Sequence, residues 1–223
     1  MSETPDRSVL DAQRFHWEST LNSNSDMFGL EPSDSAQAAI ARFRAENLAT
    51  VLELGAGQGR DTLPLAEAGF AVTAADYSEA GLSRIEDRAE NTGLRVDTCP
   101  CDVRDPLPFA NGAFDGCYSH MLFCMALTTP QLRDLMAEVR RVLRPGGLMV
   151  YTARTTDDAH FGAGIARGDD MFEHGGFVVH FFSGALIDQL AEGFEIVDRF
   201  EFEEGALPRR LVAVTMRRLP DAD

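Results

Sequence analysis

The sequence predicts an α/β fold: a seven-stranded, mostly parallel sheet with an antiparallel last strand and helices on both faces. Three observations carry that expectation. Strand-like and helix-like segments alternate from residue 50 to 153, which requires parallel strands joined by crossover helices. A glycine-rich turn joins the first strand to the helix that follows it. The tail breaks the alternation with two strand-like runs and no helix between them, as an antiparallel ending on a parallel sheet does.

The elements follow in order. Thr50–Leu54 (TVLEL) is a β-branched and aliphatic run stopped by glycine, hence a buried strand. Gly59–Ala68 has helical spacing through Leu63, Leu65 and Ala66, with Gly69 as its stop. Ala71–Ala75 is the second strand, closed by Asp76, and Ser78 is the expected N-cap of a helix that runs to Thr92 before Gly93. Arg95–Cys99 and Phe114–Ser119 are the third and fourth strands. Pro130–Val142 is an amphipathic helix with Leu132, Leu135, Met136, Val139 and Val142 on one stripe. Leu143–Gly147 reads as a turn feeding a fifth strand, Leu148–Ala153. Ser183–Glu192 reads as a helix, and Phe194–Phe202 and Arg210–Arg217 as the final strands. Residues 154–182, rich in Asp, Gly, His and Phe, form a long insertion of the kind that serves as a lid or binding loop. Residues 1–46 show little apolar alternation.

Composition removes several function classes. Asp+Glu number 36 against 20 Lys+Arg, a formal charge of −16, and every one of those cations is Arg. Phosphate backbones and anionic lipid are bound through cationic side chains, so neither nucleic acid nor a membrane surface is the expected partner. The lack of Lys fits a salt-rich cytoplasm or a coding bias toward Arg. No apolar run approaches the ~20 residues a membrane span needs, and the opening MSETPDRSVLDAQRF lacks the layout of a secretory leader. Four cysteines do not form a disulfide framework in a chain this long, which points to a reducing, cytoplasmic setting.

The chemistry concentrates at Glu53-Leu54-Gly55-Ala56-Gly57-Gln58-Gly59, where a strand hands over to a helix. Glycines there allow a tight turn and close approach of a ligand. Asp76 ends the next strand about twenty residues on, where an acid accepts ribose hydroxyls of an adenosine. A dinucleotide turn needs G-x-G-x-x-G to seat a pyrophosphate on the helix N-terminus. Here Arg60 stands at the third glycine's place and Glu53 precedes the first. An acid there repels pyrophosphate and suits an ammonium or sulfonium.

With five motifs in register, the chain resembles the class I S-adenosylmethionine-dependent methyltransferases. They are Val51–Gly59, Asp76, Cys101-Asp102-Val103 with Leu107-Pro108-Phe109, Phe114–Ser119 and Leu143–Leu148. The resemblance implies a Rossmann-like fold over 47–223, an N-terminal lid or helical segment over 1–46, and the 154–182 insertion over the active site. It also implies that Gly55, Ala56, Gly57 and Gly59 pass close to the amino-acid and sugar parts of S-adenosylmethionine, with Glu53 beneath the turn. Asp76 takes the ribose hydroxyls beside Tyr77, Asp102 takes the adenine amino group with Val103 beside it, and Ser119 and His120 neighbour the methionine portion.

The acceptor is the open question. Phe15-His16-Trp17 and Phe28-Gly29 bring aromatics into the N-terminal segment, and with Gln58-Gly59-Arg60-Asp61 they look like the small-molecule branch, similar to thiopurine and tellurite-resistance methyltransferases. Trp17 reads either as part of a lid over the cofactor or as a packing anchor. His120, and His160 and His174 in the insertion, are the candidate bases, since imidazole titrates near neutrality; the alternative for each is a solvated loop histidine. No ligand spacing supports a metal. The expected reaction is in-line methyl transfer to a small molecule, a thiol, chalcogen or similarly soft nucleophile being favoured, by a monomer or homodimer. The alternatives are an arsenite methyltransferase using Cys99, Cys101, Cys117 and Cys124, a non-catalytic S-adenosylmethionine-binding protein, and an NAD-dependent oxidoreductase.

Overall fold

A computed structural model describes residues 7–23, 29, 31–205 and 209–221. Helices α1 (Arg7–Ser23) and α2 (Asp34–Ala45) precede an alternating core. The core runs β1 (Thr50–Leu54), α3 (Thr62–Glu67), β2 (Ala71–Asp76), α4 (Glu79–Thr92), β3 (Val96–Pro100), β4 (Phe114–His120), α5 (Thr129–Val142) and β5 (Leu143–Arg154). Three short strands follow, β6 (Ile165–Gly168), β7 (Met171–His174) and β8 (Phe177–His180). The chain closes with α6 (Gly184–Leu190), β9 (Phe194–Glu204) and β10 (Arg209–Arg218).

The main sheet has seven strands in the order β3-β2-β1-β4-β5-β10-β9. Its first five are mutually parallel, and β10 is antiparallel to both β5 and β9. Period-two alternation divides the core between its faces. Leu52, Leu54, Cys117, Met149 and Tyr151 meet α5 and α6 through Leu132, Leu135, Val139, Ile187 and Leu190. Val51, Tyr118, Leu148 and Val150 meet α2 and α3 through Ala39, Phe43 and Leu65 on the other. The expected sheet, its antiparallel strand and the helices on both faces are all present.

The capping chemistry is as read: Ser78 caps α4, whose C-cap is Gly93 at φ 69°, and Thr128 with Gln131 forms a capping box on α5. Two expectations change. Leu143–Gly147 belongs to β5 rather than to a separate turn, with a register irregularity against β4 between Phe114 and Gly116. The insertion folds as its own antiparallel sheet, β6-β7-β8. The N-terminal segment, expected as a lid or helical segment, contains two helices. The apolar face of α2 is largely alanine (Ala36 and Ala39 with Phe43), which gives a weak periodic signal. Phe28 lies outside the described residues. No helix among the described residues is long and apolar enough to cross a membrane.

Candidate active site

The strand ends β1, β2 and β4 open onto a cavity of about 490 Å³, roofed by the small sheet and by α1. Strand carboxyl edges are where open α/β sheets bind ligands. At its floor the β1–α3 turn is pinned to β2: the Gly55 and Ala56 amides donate to Ala75 O at 2.8 and 3.2 Å. Gly57 N donates to Asp76 Oδ2 and Ser78 N to Asp76 Oδ1, both at 2.8 Å. Gly57 has φ +54° and nothing within 4 Å of where a Cβ would stand, so its bare backbone faces the cavity.

Two acids flank this turn. Glu53 is 3% exposed and accepts a hydrogen bond from Thr62 Oγ1; burial, then Asp61, holds its carboxyl well above the ordinary range. No guanidinium pairs with it directly among the ion pairs of the described residues. Burial also raises the Asp76 carboxyl, against the Ser78 and Gly57 amides. A cavity floored by bare backbone and two desolvated carboxyls fits a cationic nucleoside and disfavours a diphosphate.

The other half of the cavity is apolar and histidine-bearing. Met121, Leu122, Met125, Phe172, Phe177, Val179 and Phe181 line it. Trp17 packs on Phe177 at 4.7 Å between ring centroids, and Gln13 staples α1 to β8 through Gly176 O (3.0 Å) and Val178 N (3.1 Å). His160 and His174 both line the cavity and stack at 5.3 Å. Arg154 is held by the buried Asp158 and places NH2 3.0 Å from His160 Nδ1. A guanidinium only donates, so this Nδ1 accepts, and the neutral ring carries its hydrogen on Nε2.

Among the remaining candidates, Glu53, Gly55, Ala56, Gly57, Asp76, Tyr77, Val103 and His120 line the same cavity. Three do not. Gly59 faces α4, where a Cβ would stand 2.7 Å from Ile85 Cγ1. Ser119 is fully buried and donates to Leu54 O at 2.9 Å. Asp102 is forked by Arg104 (3.0 Å to Oδ1, 2.7 Å to Oδ2), which also reaches Asp11 of α1; Arg104 outweighs burial and lowers the carboxyl. Of the cysteines only Cys101 lines the cavity, while Cys117 and Cys124 are buried in the core with raised thiols. His180 is buried, and its Nδ1 donates to Leu127 O at 2.7 Å.

Glu204 and Arg209, at the tip of the β9–β10 hairpin, and Arg60 were not among the sequence candidates, and all three line the cavity. Glu204 Oε2 stands 3.3 Å from His120 Nε2, and Arg60 NH2 lies 3.4 Å from Glu204 Oε1. The neighbouring His120 ring, then Arg60, lowers the Glu204 carboxyl in spite of its burial. The only available signal was the Arg60 that replaces a glycine in the turn.

This sheet order and glycine turn define a class I, Rossmann-like methyltransferase fold. Residues 51–147 match the family model described as a methyltransferase domain. The chain is 29% identical over 172 residues to 24-methylenesterol C-methyltransferase 2 of Oryza sativa subsp. japonica, covering 71% of this chain and 46% of that protein. It is 30% identical over 124 residues to the malonyl-[acyl-carrier protein] O-methyltransferase of Enterobacter lignolyticus (strain SCF1), covering 55% and 46%. The chain thus spans about half the length of the curated relatives it matches. Among solved structures, the Burkholderia thailandensis 1,6-didemethyltoxoflavin-N1-methyltransferase, with 1,6-didemethyltoxoflavin and S-adenosylhomocysteine bound, shares the fold at TM-score 0.74 and 23% identity. The match covers 96% of this chain and 89% of that one.

Proposed function

We propose that this chain transfers a methyl group from S-adenosylmethionine to a small-molecule acceptor, a thiol, chalcogen or comparably polarisable nucleophile being favoured. One observation carries the reading: a single cavity joins the glycine turn and its two acids to an apolar, histidine-bearing wall. Donor and acceptor can therefore share one largely apolar space, in which an in-line displacement can be oriented. The cofactor supplies an electrophilic methyl on a sulfonium.

The chain's own residues do the rest. Asp76 holds the ribose hydroxyls with the lone pairs its two amide contacts leave, next to Tyr77. The Gly55–Gly57 backbone passes the sugar and amino-acid portions, Gly59 lets the turn close against α4, and Glu53 balances the cationic end. Val103 meets the adenine, and Asp102, off the cavity wall and forked by Arg104, positions the loop that carries Val103. Ser119 supports the β4 end from beneath, and His120 borders the methionine portion. His160 donates a hydrogen bond to the acceptor, and His174 packs behind it. Trp17 closes α1 over both ligands as a lid. Holding an acceptor near attack distance in such a space lowers a barrier by about 7–11 kcal/mol in well-oriented systems.

A screen of thiols, selenite, tellurite, arsenite, amines and phenols, read as S-adenosylhomocysteine formed, tests the reading. Turnover with a soft organic acceptor is expected. Protein that retains a nicotinamide, or ignores S-adenosylmethionine and S-adenosylhomocysteine at millimolar levels, overturns it.

A further inference from the structure

The His120 ring is held from both sides. Its Nδ1 lies 2.9 Å from Ser35 Oγ and 3.0 Å from Thr152 Oγ1. Ser35 Oγ lies 2.9 Å from the Tyr118 hydroxyl, which donates to Asp61 Oδ2 at 3.1 Å. Ser33 Oγ donates to the same oxygen at 2.8 Å. The hydrogens of Tyr118 and Ser33 are thus committed to the Asp61 carboxylate. The Ser35 hydrogen has the Tyr118 and Ser33 oxygens within reach, at 2.9 and 3.0 Å, and in the tautomer proposed below Ser35 accepts from His120 Nδ1. In that tautomer the donors run one way, Nδ1–H to Ser35 to Tyr118 to Asp61, and an ordered donor chain of this kind is mutually reinforcing.

That ordering leaves the lone pair of Nε2 facing Glu204. The Glu204 Oε2 atom is buried and has no hydrogen-bond partner, although Nε2 is only 3.3 Å away. Two basic atoms side by side, both short of a hydrogen, are costly in a desolvated wall. One added proton satisfies both. Arg60 at Glu204 Oε1 keeps the carboxylate charged, so the proton settles on Nε2.

We propose that the His120–Glu204 pair receives the proton that the methyl acceptor gives up. The proposal rests on the methyl-transfer reading above and assigns its proton path. As the acceptor heteroatom bonds to the methyl carbon, the carbon–sulfur bond breaks and sulfur keeps the electron pair. The acceptor's proton passes to His120 Nε2, where Glu204 neutralises the imidazolium, and leaves to water after the products. His160 does not compete for this role, because its Nδ1 is occupied by Arg154. The acceptors that benefit are those un-ionised at neutral pH.

Two measurements test the pair. Wild type and Glu204→Gln are compared on thiols that run from thiophenols, ionised at neutral pH, to alkanethiols, un-ionised there, with S-adenosylhomocysteine affinity measured in parallel. A loss on the order of 100-fold is expected for the least acidic acceptor, within the usual span for general base catalysis, against a few-fold loss for the pre-ionised one at unchanged affinity. A uniform loss along the series overturns the proposal.

The second measurement needs no acceptor: 15N NMR of the histidine-labelled protein, with His120→Asn to assign the ring. The groups facing His120 are Ser35 of α2, Thr152 of β5, Arg60 and Asp61 of the β1–α3 turn, and Glu204 of β9, with Arg154, His160 and Arg209 elsewhere on the cavity wall. The neutral ring is expected to carry its hydrogen on Nδ1, the tautomer that leaves Nε2 free to take the proton. Hydrogen on Nε2 overturns it. Wild type that neither binds S-adenosylhomocysteine nor turns over refutes methyl transfer, while the NMR still decides the pair.

Discussion

Asp76 Oδ2 accepts the amide hydrogen of Gly57 at 2.8 Å, so the acid that ends β2 is tied to the middle glycine of the turn after β1. The same carboxylate holds Ser78 N through its other oxygen and so also sets the start of α4. One side chain thereby connects the turn, the helix and the cavity floor.

Asp76→Ala is expected to weaken S-adenosylmethionine binding by about 1–3 kcal/mol, the usual cost of losing hydrogen bonds to a charged group. Titration calorimetry reads this directly, and unchanged affinity refutes the ribose assignment.

Gly81 lies in the first turn of α4, and a Cβ there would stand 2.3 Å from Gly57 O. Alanine is normally the better helix residue by ~1 kcal/mol, yet Gly81→Ala is expected to destabilise the fold by about 1–3 kcal/mol through overpacking. It should also weaken cofactor binding by displacing the turn. A raised melting temperature with unchanged affinity would show that the turn yields freely.

Trp17→Ala is expected to lower turnover more than cofactor affinity, since Trp17 meets Phe177 on the acceptor side of the cavity. Equal losses in the two measurements would identify a packing anchor instead.

Asp115 predicts a pH dependence. Burial raises its carboxyl, but the Thr50 and Ala49 amides and Arg144 outweigh it and bring the pKa to about 2. A carboxyl whose folded pKa lies below its unfolded value of roughly 4 stabilises the protein above that pH. This contribution is lost as pH falls from about 4 through about 2. Urea midpoints should fall over that window in wild type and fall less steeply in Asp115→Asn; parallel curves would refute the assignment.

Legibility tracked the range of the forces involved. Thr50–Leu54 was bounded to the residue, because a buried parallel strand is a continuous apolar run closed by glycine. Ser78 and Gly93 marked the ends of α4, because caps act within one turn. The strands β6, β7 and β8 are four residues each, too short for an alternation to stand out among Gly and Asp. Glu204 was invisible for another reason. It reaches His120 across 84 positions of chain, and only the β10–β9 pairing brings it there. An acid-rich sequence offers many such carboxylates, and none is distinguished before folding.

The small sheet leaves and rejoins the main body at neighbouring points: Thr155 bridges Phe182, and Thr156 N and Phe182 N close the gap through Phe182 O and Arg154 O. A segment whose two ends are already stitched together behaves as an exchangeable cassette. Swapping it would redraw the acceptor wall through Phe172, Phe177 and Phe181 while the glycine turn and Asp76 stay as they are. On the proposed reading, such a swap would change the molecule modified and leave the donor contacts in place.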